Sequence, residues 1–248
     1  MPRVNIVIAK RGRERHLNAC LHFLDKCNTR FLFDVSVYVV EDRFSEHVNP
    51  ESYFSIKVCY LFLEEQPLLF NKSKLLNYGF EHMRQDYDWV SVVDVDMIYD
   101  PRFLDKINST LIDNTVCVCN GYDIDLGISM FILNGSYVIP DIASLSKYAG
   151  NSQMSMTRNT VLLIKEIYGE LYCEKFEGWG GEDSDLSFRI YDMVKANLLR
   201  RVTFDGMWCH LWHVKERDSE TYNNNTQLFR ERREYNQKIL ERWLNGKT

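Results

Sequence analysis

At 248 residues, with 45% apolar and 13% aromatic side chains, the chain is long enough for one large domain and too rich in packing residues for disorder or a low-complexity array. Its net charge of −5 lacks the basic excess used to grip nucleic-acid backbones, which argues against nucleic acid as the main partner. Seven scattered cysteines without a C-x-x-C pair point to a reducing compartment rather than a disulfide framework or a zinc site.

The first predicted element is a buried strand over residues 4–8. An arginine-rich turn then leads into a helix over 11–24, where Leu17, Leu21 and Leu24 recur at helical spacing. The apolar run at 4–9 is too short for a signal core or a membrane span, and no later run approaches spanning length, so a soluble chain is expected. A β-branched strand over 35–40 ends in Glu41-Asp42, and 56–63 is a further strand. A helix over 71–83 and a strand over 89–93 follow. This alternation predicts an α/β sandwich with a mainly parallel sheet, whose ligands bind at the carboxyl ends of its strands.

Beyond Pro101 the pattern predicts a helix through Phe103, Leu104, Ile107 and Leu111, then short strand-like pieces at 116–119 and 130–133. Residues 121–150 are poorly periodic and rich in Gly, Asp, Asn and Ser, as expected of loops that shape a site. Helices are predicted over 157–168 and 185–197, with a densely charged helix over the last thirty or so residues. There is no internal repeat and no linker.

Three clusters carry candidate chemistry. Asp94-Val95-Asp96 follows a strand, so both carboxylates stand at its carboxyl end, where a divalent cation can bridge to a diphosphate. A solvated acidic turn is the plain alternative, since D-x-D recurs at 86/88, 123/125 and 183/185 and only the strand context singles this one out. In Gly178-Trp179-Gly180-Gly181-Glu182-Asp183-Ser184-Asp185 the paired glycines permit close backbone approach, the tryptophan offers a flat face to a sugar, and the acids open a helix. Helix capping explains Asp185 but neither Trp179 nor the glycines.

Met207-Trp208-Cys209-His210-Leu211-Trp212-His213 offers imidazoles that can complete a metal site begun by Asp96, weighed against hydrogen-bonded core histidines. Arg11, Arg13, Arg15, Lys72 and Lys74 supply positive charge near helix N-termini, as a diphosphate requires. The run Arg230-Glu231-Arg232-Arg233-Glu234 is best read as a solvated helical face, with peripheral membrane contact as the minor option.

Phe70-Asn71-Lys72-Ser73-Lys74-Leu75-Leu76-Asn77-Tyr78-Gly79-Phe80, then Val93-Asp94-Val95-Asp96, then Gly178-Trp179-Gly180-Gly181-Glu182-Asp183 resemble the signature blocks of the beta-1,4-galactosyltransferases. Varied forms of these blocks occur in bacterial capsular and chondroitin-polymerase-like transferases. The resemblance runs from about Val4 to His213. It implies a GT-A fold, a single Rossmann-like mixed sheet flanked by helices, and a UDP-sugar donor. It further implies Mn2+, with Mg2+ as the alternative, held by Asp96 and a downstream histidine. Arg11, Arg13, Phe70, Lys72, Asp94 and Asp96 map to donor binding, Trp179, Gly180 and Gly181 to the acceptor, and Asp183, beside Glu182, to the catalytic base.

The chain also departs from the family. Lys72 stands where the animal enzymes carry arginine, and Ser184 replaces their third acid. The metal histidine is His210 by a Met-x-x-His reading or His213 by the spacing to Phe229. Tyr148 resembles a position whose tyrosine favours galactose.

The expected activity is an inverting, metal-dependent transfer of a hexose, galactose favoured, from a UDP-sugar to a glycan or glycolipid hydroxyl. A metal-dependent nucleotidyltransferase or diphosphohydrolase is the second enzyme reading, and a catalytically silent carbohydrate-binding or scaffold subunit is the third. Residues 1–115 are assigned to the donor, 116–215 to acceptor and catalysis, and 216–248 to a charged helical segment of one catalytic domain. A bacterial or viral-host cytosol, with peripheral membrane contact as an option, is the expected location.

Overall fold

The computed structural model describes residues 1–30, 32–42, 52–64, 68–138, 145–147, 153–178, 180–214 and 218–246. Strand β1 (Arg3–Lys10) lies between β2 (Asp34–Glu41) and β4 (Trp89–Val92), with β3 (Ile56–Phe62) outside β2, and all three of these pairings are parallel. Alternation along β1 sends Ile6 and Ile8 to one face and Val7 and Ala9 to the other. Helix α1 (Glu14–Cys27) covers the first face through Leu17, Leu21 and Leu24, and α2 (Lys72–His82) covers the second through Leu75, Leu76 and Phe80. Each such side chain, fully buried, contributes about 1.5–3 kcal/mol. Gly79 lets α2 lie close on the sheet, for a Cβ there would stand 2.7 Å from Val7 and 2.9 Å from Val40.

The sheet continues through β8 (Met154–Thr157), β6 (Thr115–Asp123), β9 (Arg200–His210) and β5 (Met97–Tyr99), in the order β3-β2-β1-β4-β8-β6-β9-β5, with β7 (Ser146–Lys147) paired to β6. In this half β8 is antiparallel to both neighbours and β5 is antiparallel to β9, so the sheet is mixed rather than mainly parallel. Helices α3 (Phe103–Asn108), α4 (Leu126–Leu133), α5 (Arg158–Tyr168), α6 (Glu182–Lys195) and α7 (Ser219–Gly246) complete the described elements.

Three differences from the expected elements have physical causes. Residues 130–133, expected as strand-like, belong to α4, which Asp125 caps by accepting from the Ile128 amide at 2.9 Å. An apolar run of that length carries no decisive period, and the cap decides it. Strand β9 was not expected because its first half is half-exposed and polar, and it takes its place by pairing with β6. The pieces β5 and β8 are too short for an alternation to register.

The pairing of β6 with β9 shifts register between Asn120 and Tyr122, at Gly121. A Cβ on Gly121 would fall 2.3 Å from the ring of Trp208, which lies buried there and donates through Nε1 to the Cys119 carbonyl at 2.8 Å. After the shift Asp123 stands opposite His210. The bulge thereby places a carboxylate beside a histidine at the carboxyl end of the sheet. Among the described residues no helix is long and apolar enough to cross a membrane.

Candidate functional site

The carboxyl ends of β1, β2, β4 and β9 converge on one edge, where two charged corners form. In the turn after β1, Gly12 and Arg13 both adopt left-handed backbone, φ 66° and 62°. Arg13 opens α1 from that conformation, and its Nη1 pairs with the buried Asp96. Asp96 also receives His213 Nε2 at 3.2 Å and faces His210 Nε2 at 3.8 Å. The possible ligand atoms of Asp96, His210 and His213 all lie within 4.8 Å of one another.

The far nitrogens of both rings are already engaged. His210 Nδ1 lies 3.0 Å from Asp123 Oδ1, and His213 Nδ1 lies 2.8 Å from the Val214 carbonyl. Carbonyl and carboxylate oxygens accept, so each Nδ1 can donate outward and each Nε2 is the nitrogen turned toward Asp96, where it donates to the carboxylate when protonated and can ligate a cation when not. Arg13 Nη2, 3.2 Å from the same His213 nitrogen, competes as a donor for that edge. One carboxylate oxygen with two imidazole nitrogens is a donor set that suits Mn2+ better than Mg2+. Both candidate histidines therefore reach the triad. Burial pushes the Asp96 carboxyl up, but His213, His210 and Arg13 outweigh it and hold the group well below the usual carboxylate range.

The second corner is built around Lys72, in the first turn of α2. Its Nζ lies 2.7 Å from Asp94, 2.8 Å from Asp183 and 3.8 Å from Glu182, the middle contact joining residues 111 apart in sequence. Burial works against the lysine's charge, yet Asp183, Asp94 and Glu182 overcome it, and its pKa is raised. The acids respond in kind. Burial and the neighbouring Asp183 push Glu182 from its ordinary 4.5 up to about 7, against the pull of Lys72. Burial likewise raises Asp183, with Lys72 opposing and Asp94 adding to it. Asp94 and Asp96, one residue apart in the D-x-D motif, thus serve different corners.

Glu182 and Asp183 are delivered by a glycine turn. Gly181, at φ 105°, caps α6, and a Cβ there would lie 2.6 Å from the Phe176 ring, so both backbone and packing demand glycine. The Gly178 amide donates to the Phe70 carbonyl at 2.7 Å, tying this turn to the block that precedes α2. Asp185 does not cap the helix. It is buried and accepts from Arg189, Arg232 and Asn236, each at 3.0 Å. Arg232 also pairs with Glu170 at 2.7 Å, so it turns inward from a run expected to be a solvated face, whereas Arg230, Glu231, Arg233 and Glu234 are exposed.

Arg11 forms a third wall. It forks onto buried Asp42, reaches the Leu68 and Leu69 carbonyls at 3.4 and 3.3 Å, and lies 5.6 Å from the centre of the Phe70 ring. Gly180 stands beside Tyr222 of α7. Trp179 and Tyr148 lie outside the described residues. Sequence reasoning passed over Asp42, Asp123 and His16. Asp42 was visible as the acid immediately after β2, and Asp123 as a member of another D-x-D triplet. His16 lies edge-on to His213 with ring centres 6.3 Å apart, its pKa lowered by burial, and had no signal of its own.

No family model matches the chain. Mouse beta-1,4-galactosyltransferase 4 is 23% identical over 222 residues, covering 89% of this chain and 51% of that protein. Human beta-1,4-galactosyltransferase 1 is 25% identical over 76% of this chain and 36% of its own length. The chain therefore spans about half or less of the curated relatives it matches.

Among solved structures, Staphylococcus aureus TarS 1–349 in complex with UDP-GlcNAc superposes with a TM-score of 0.60 at 16% identity, over 99% of this chain and 72% of that one. This is a GT-A fold. A Drosophila beta-1,4-galactosyltransferase 7 mutant in complex with manganese, UDP-Gal and xylobiose shares the GT-A fold with a TM-score of 0.53 at 12% identity, over 90% of this chain and 79% of that one. In sequence the chain is galactosyltransferase-like.

Proposed function

We propose that the chain is an inverting, metal-dependent glycosyltransferase that moves a hexose, galactose favoured, from a UDP-sugar to a hydroxyl of a glycan acceptor. The observation that carries this reading is the meeting of two chemistries at one sheet edge. An ionised carboxylate with two imidazoles can hold a cation, and a buried acid pair can take a proton.

Asp96, His210 and His213 would hold manganese, which when bound supplies positive charge for a departing diphosphate. Arg11 and Arg13 add cationic charge on the same side, and Phe70 walls the nucleotide pocket. Asp183 accepts the proton of the acceptor hydroxyl as that oxygen attacks the anomeric carbon from the face opposite the diphosphate. The bond to UDP breaks and the configuration inverts. Lys72 holds Asp183 in place and moderates its basicity, while Glu182 raises the local demand for a proton.

The relatives named for galactosyl transfer, and the neighbours bound to UDP-Gal, UDP-GlcNAc, manganese and xylobiose, support the donor and acceptor classes for this chain. In this reading residues 1–115 serve chiefly the donor and residues 116–215 the acceptor and catalysis, with the triad of Asp96, His210 and His213 and the Lys72–Asp183 pair drawing on both halves. All seven cysteines are unpaired, which supports a reducing, cytosolic location.

The test is a donor-hydrolysis screen against a panel of nucleotide sugars, with Mn2+ and with EDTA. Metal-dependent release of UDP, fastest from UDP-galactose, is the expected outcome. Absence of release from every donor, with no metal-dependent nucleotide binding, would overturn the reading in favour of a silent module.

A further inference from the structure

Resting on the transferase reading, we infer that Asn225, near the start of α7, is a positioning residue for the acid pair Glu182 and Asp183. The backbone approaching that pair passes through Gly178, Gly180 and Gly181 at φ 71°, 89° and 105°. Glycine loses more conformational freedom on ordering than any other residue, so such a turn does not hold itself. Nor does α6 have a side-chain cap at its N-terminus.

Beside the Gly178–Phe70 bond and the Lys72–Asp183 pair, a further restraint comes from α7. Asn225 is 5% exposed, and its Nδ2 donates to the Glu177 and Gly180 carbonyls, both at 2.8 Å. Thr221, one turn earlier, presses its methyl against Gly178, 2.6 Å from where a Cβ would stand. Further along the same helix, Arg232 and Asn236 grip Asp185. Glu182 and Asp183 lie between these grips, one at the Gly180 carbonyl and one at the Asp185 carboxylate. A helix whose sequence reads as charged surface thus sets the position of the proposed base. The Gly180 carbonyl is separated from Glu182 by Gly181 alone, so displacement there is passed directly to the acids. Misplacing a reacting group by about 1 Å can cost on the order of a hundredfold in rate.

The test measures kcat, donor KM and Tm of the full chain with Mn2+ and its best UDP-sugar. Asn225→Asp keeps the size but turns the donor into an acceptor facing two carbonyls. Leu240→Ala loosens α7 in the core, away from the turn. Asn225→Asp should lower kcat about tenfold or more with donor KM within about twofold. Leu240→Ala should lower Tm at least as much and keep its kcat. Amide hydrogen exchange at residues 180–184 should quicken in Asn225→Asp and not in Leu240→Ala.

An unchanged kcat in Asn225→Asp, or an equal loss in Leu240→Ala, would overturn the inference. Should Asn225→Asp fail to fold, Asn225→Ser, which shortens the donor without adding charge, is read by the same criteria. A wild-type chain that turns over no donor counts against the transferase reading instead, and the exchange comparison still decides whether Asn225 holds the turn.

Discussion

The two corners of the site use the same residue type, on the same edge of the same sheet, to opposite ends. At the first, one buried carboxylate, Asp96, meets Arg13, His210 and His213 and is held ionised. At the second, Asp94, Glu182 and Asp183 share Lys72, and Glu182 rises to about 7. Burial pushes Asp96, Glu182 and Asp183 alike toward the neutral form, so the ratio of cations to carboxylates decides which corner keeps its charge. A permanently charged acid suits a ligand, and an acid poised near neutrality suits proton transfer.

The contrast can be broken most directly at the base. Asp183→Asn should lower the transfer rate by roughly a hundredfold or more while leaving metal-dependent UDP binding intact, and a near-normal rate would remove Asp183 from the chemistry. At the other corner, Asp123→Ala removes the partner of His210 Nδ1 without touching the triad. Mn2+ affinity, measured by direct titration, should weaken by about 10–100-fold, and an unchanged affinity would take Asp123 out of the support for the site.

Glu182→Gln sharpens the comparison through pH. Because the folded pKa of about 7 lies above the ordinary 4.5, the folded chain binds more protons in that interval, and this group's contribution to stability falls as pH rises through it. The Tm of Glu182→Gln relative to wild type should therefore be higher at pH 8 than at pH 5. Equal Tm differences at the two pH values would refute the raised pKa.

The smallest effect is expected from Gly121→Ala. It crowds the buried Trp208 ring and should destabilise the fold by about 1–3 kcal/mol in denaturant unfolding, with Mn2+ binding weakened through the Asp123–His210 register.

Legibility in the sequence followed the periodicities. Strands β1 to β4 with α1 and α2 were readable because each carries a continuous apolar run or a helical stripe, and they deliver Arg11, Arg13, Lys72 and Asp94 in predictable order. The acidic start of α6 was readable as a motif, although its helix begins three residues before the apolar pattern does. Strand β9 was not, since the alternation of Val202 and Phe204 with Arg201, Thr203 and Asp205 covers only five residues before Gly206, and it carries His210 toward Asp96.

By itself, then, the sequence determined the parallel half of the sheet, the D-x-D turn and the glycine–acid block, because each is announced by a periodicity or motif carried within a short stretch of chain. Only the tertiary structure decided that Asp94 and Asp96 face different partners, that both His210 and His213 join the triad, and that Lys72 bridges to Asp183. It also decided that Asn225 and Arg232 of a charged helix reach inward to hold the acids. These choices depend on which groups are buried together, and the charge state of a buried acid is set by neighbours that no local pattern specifies.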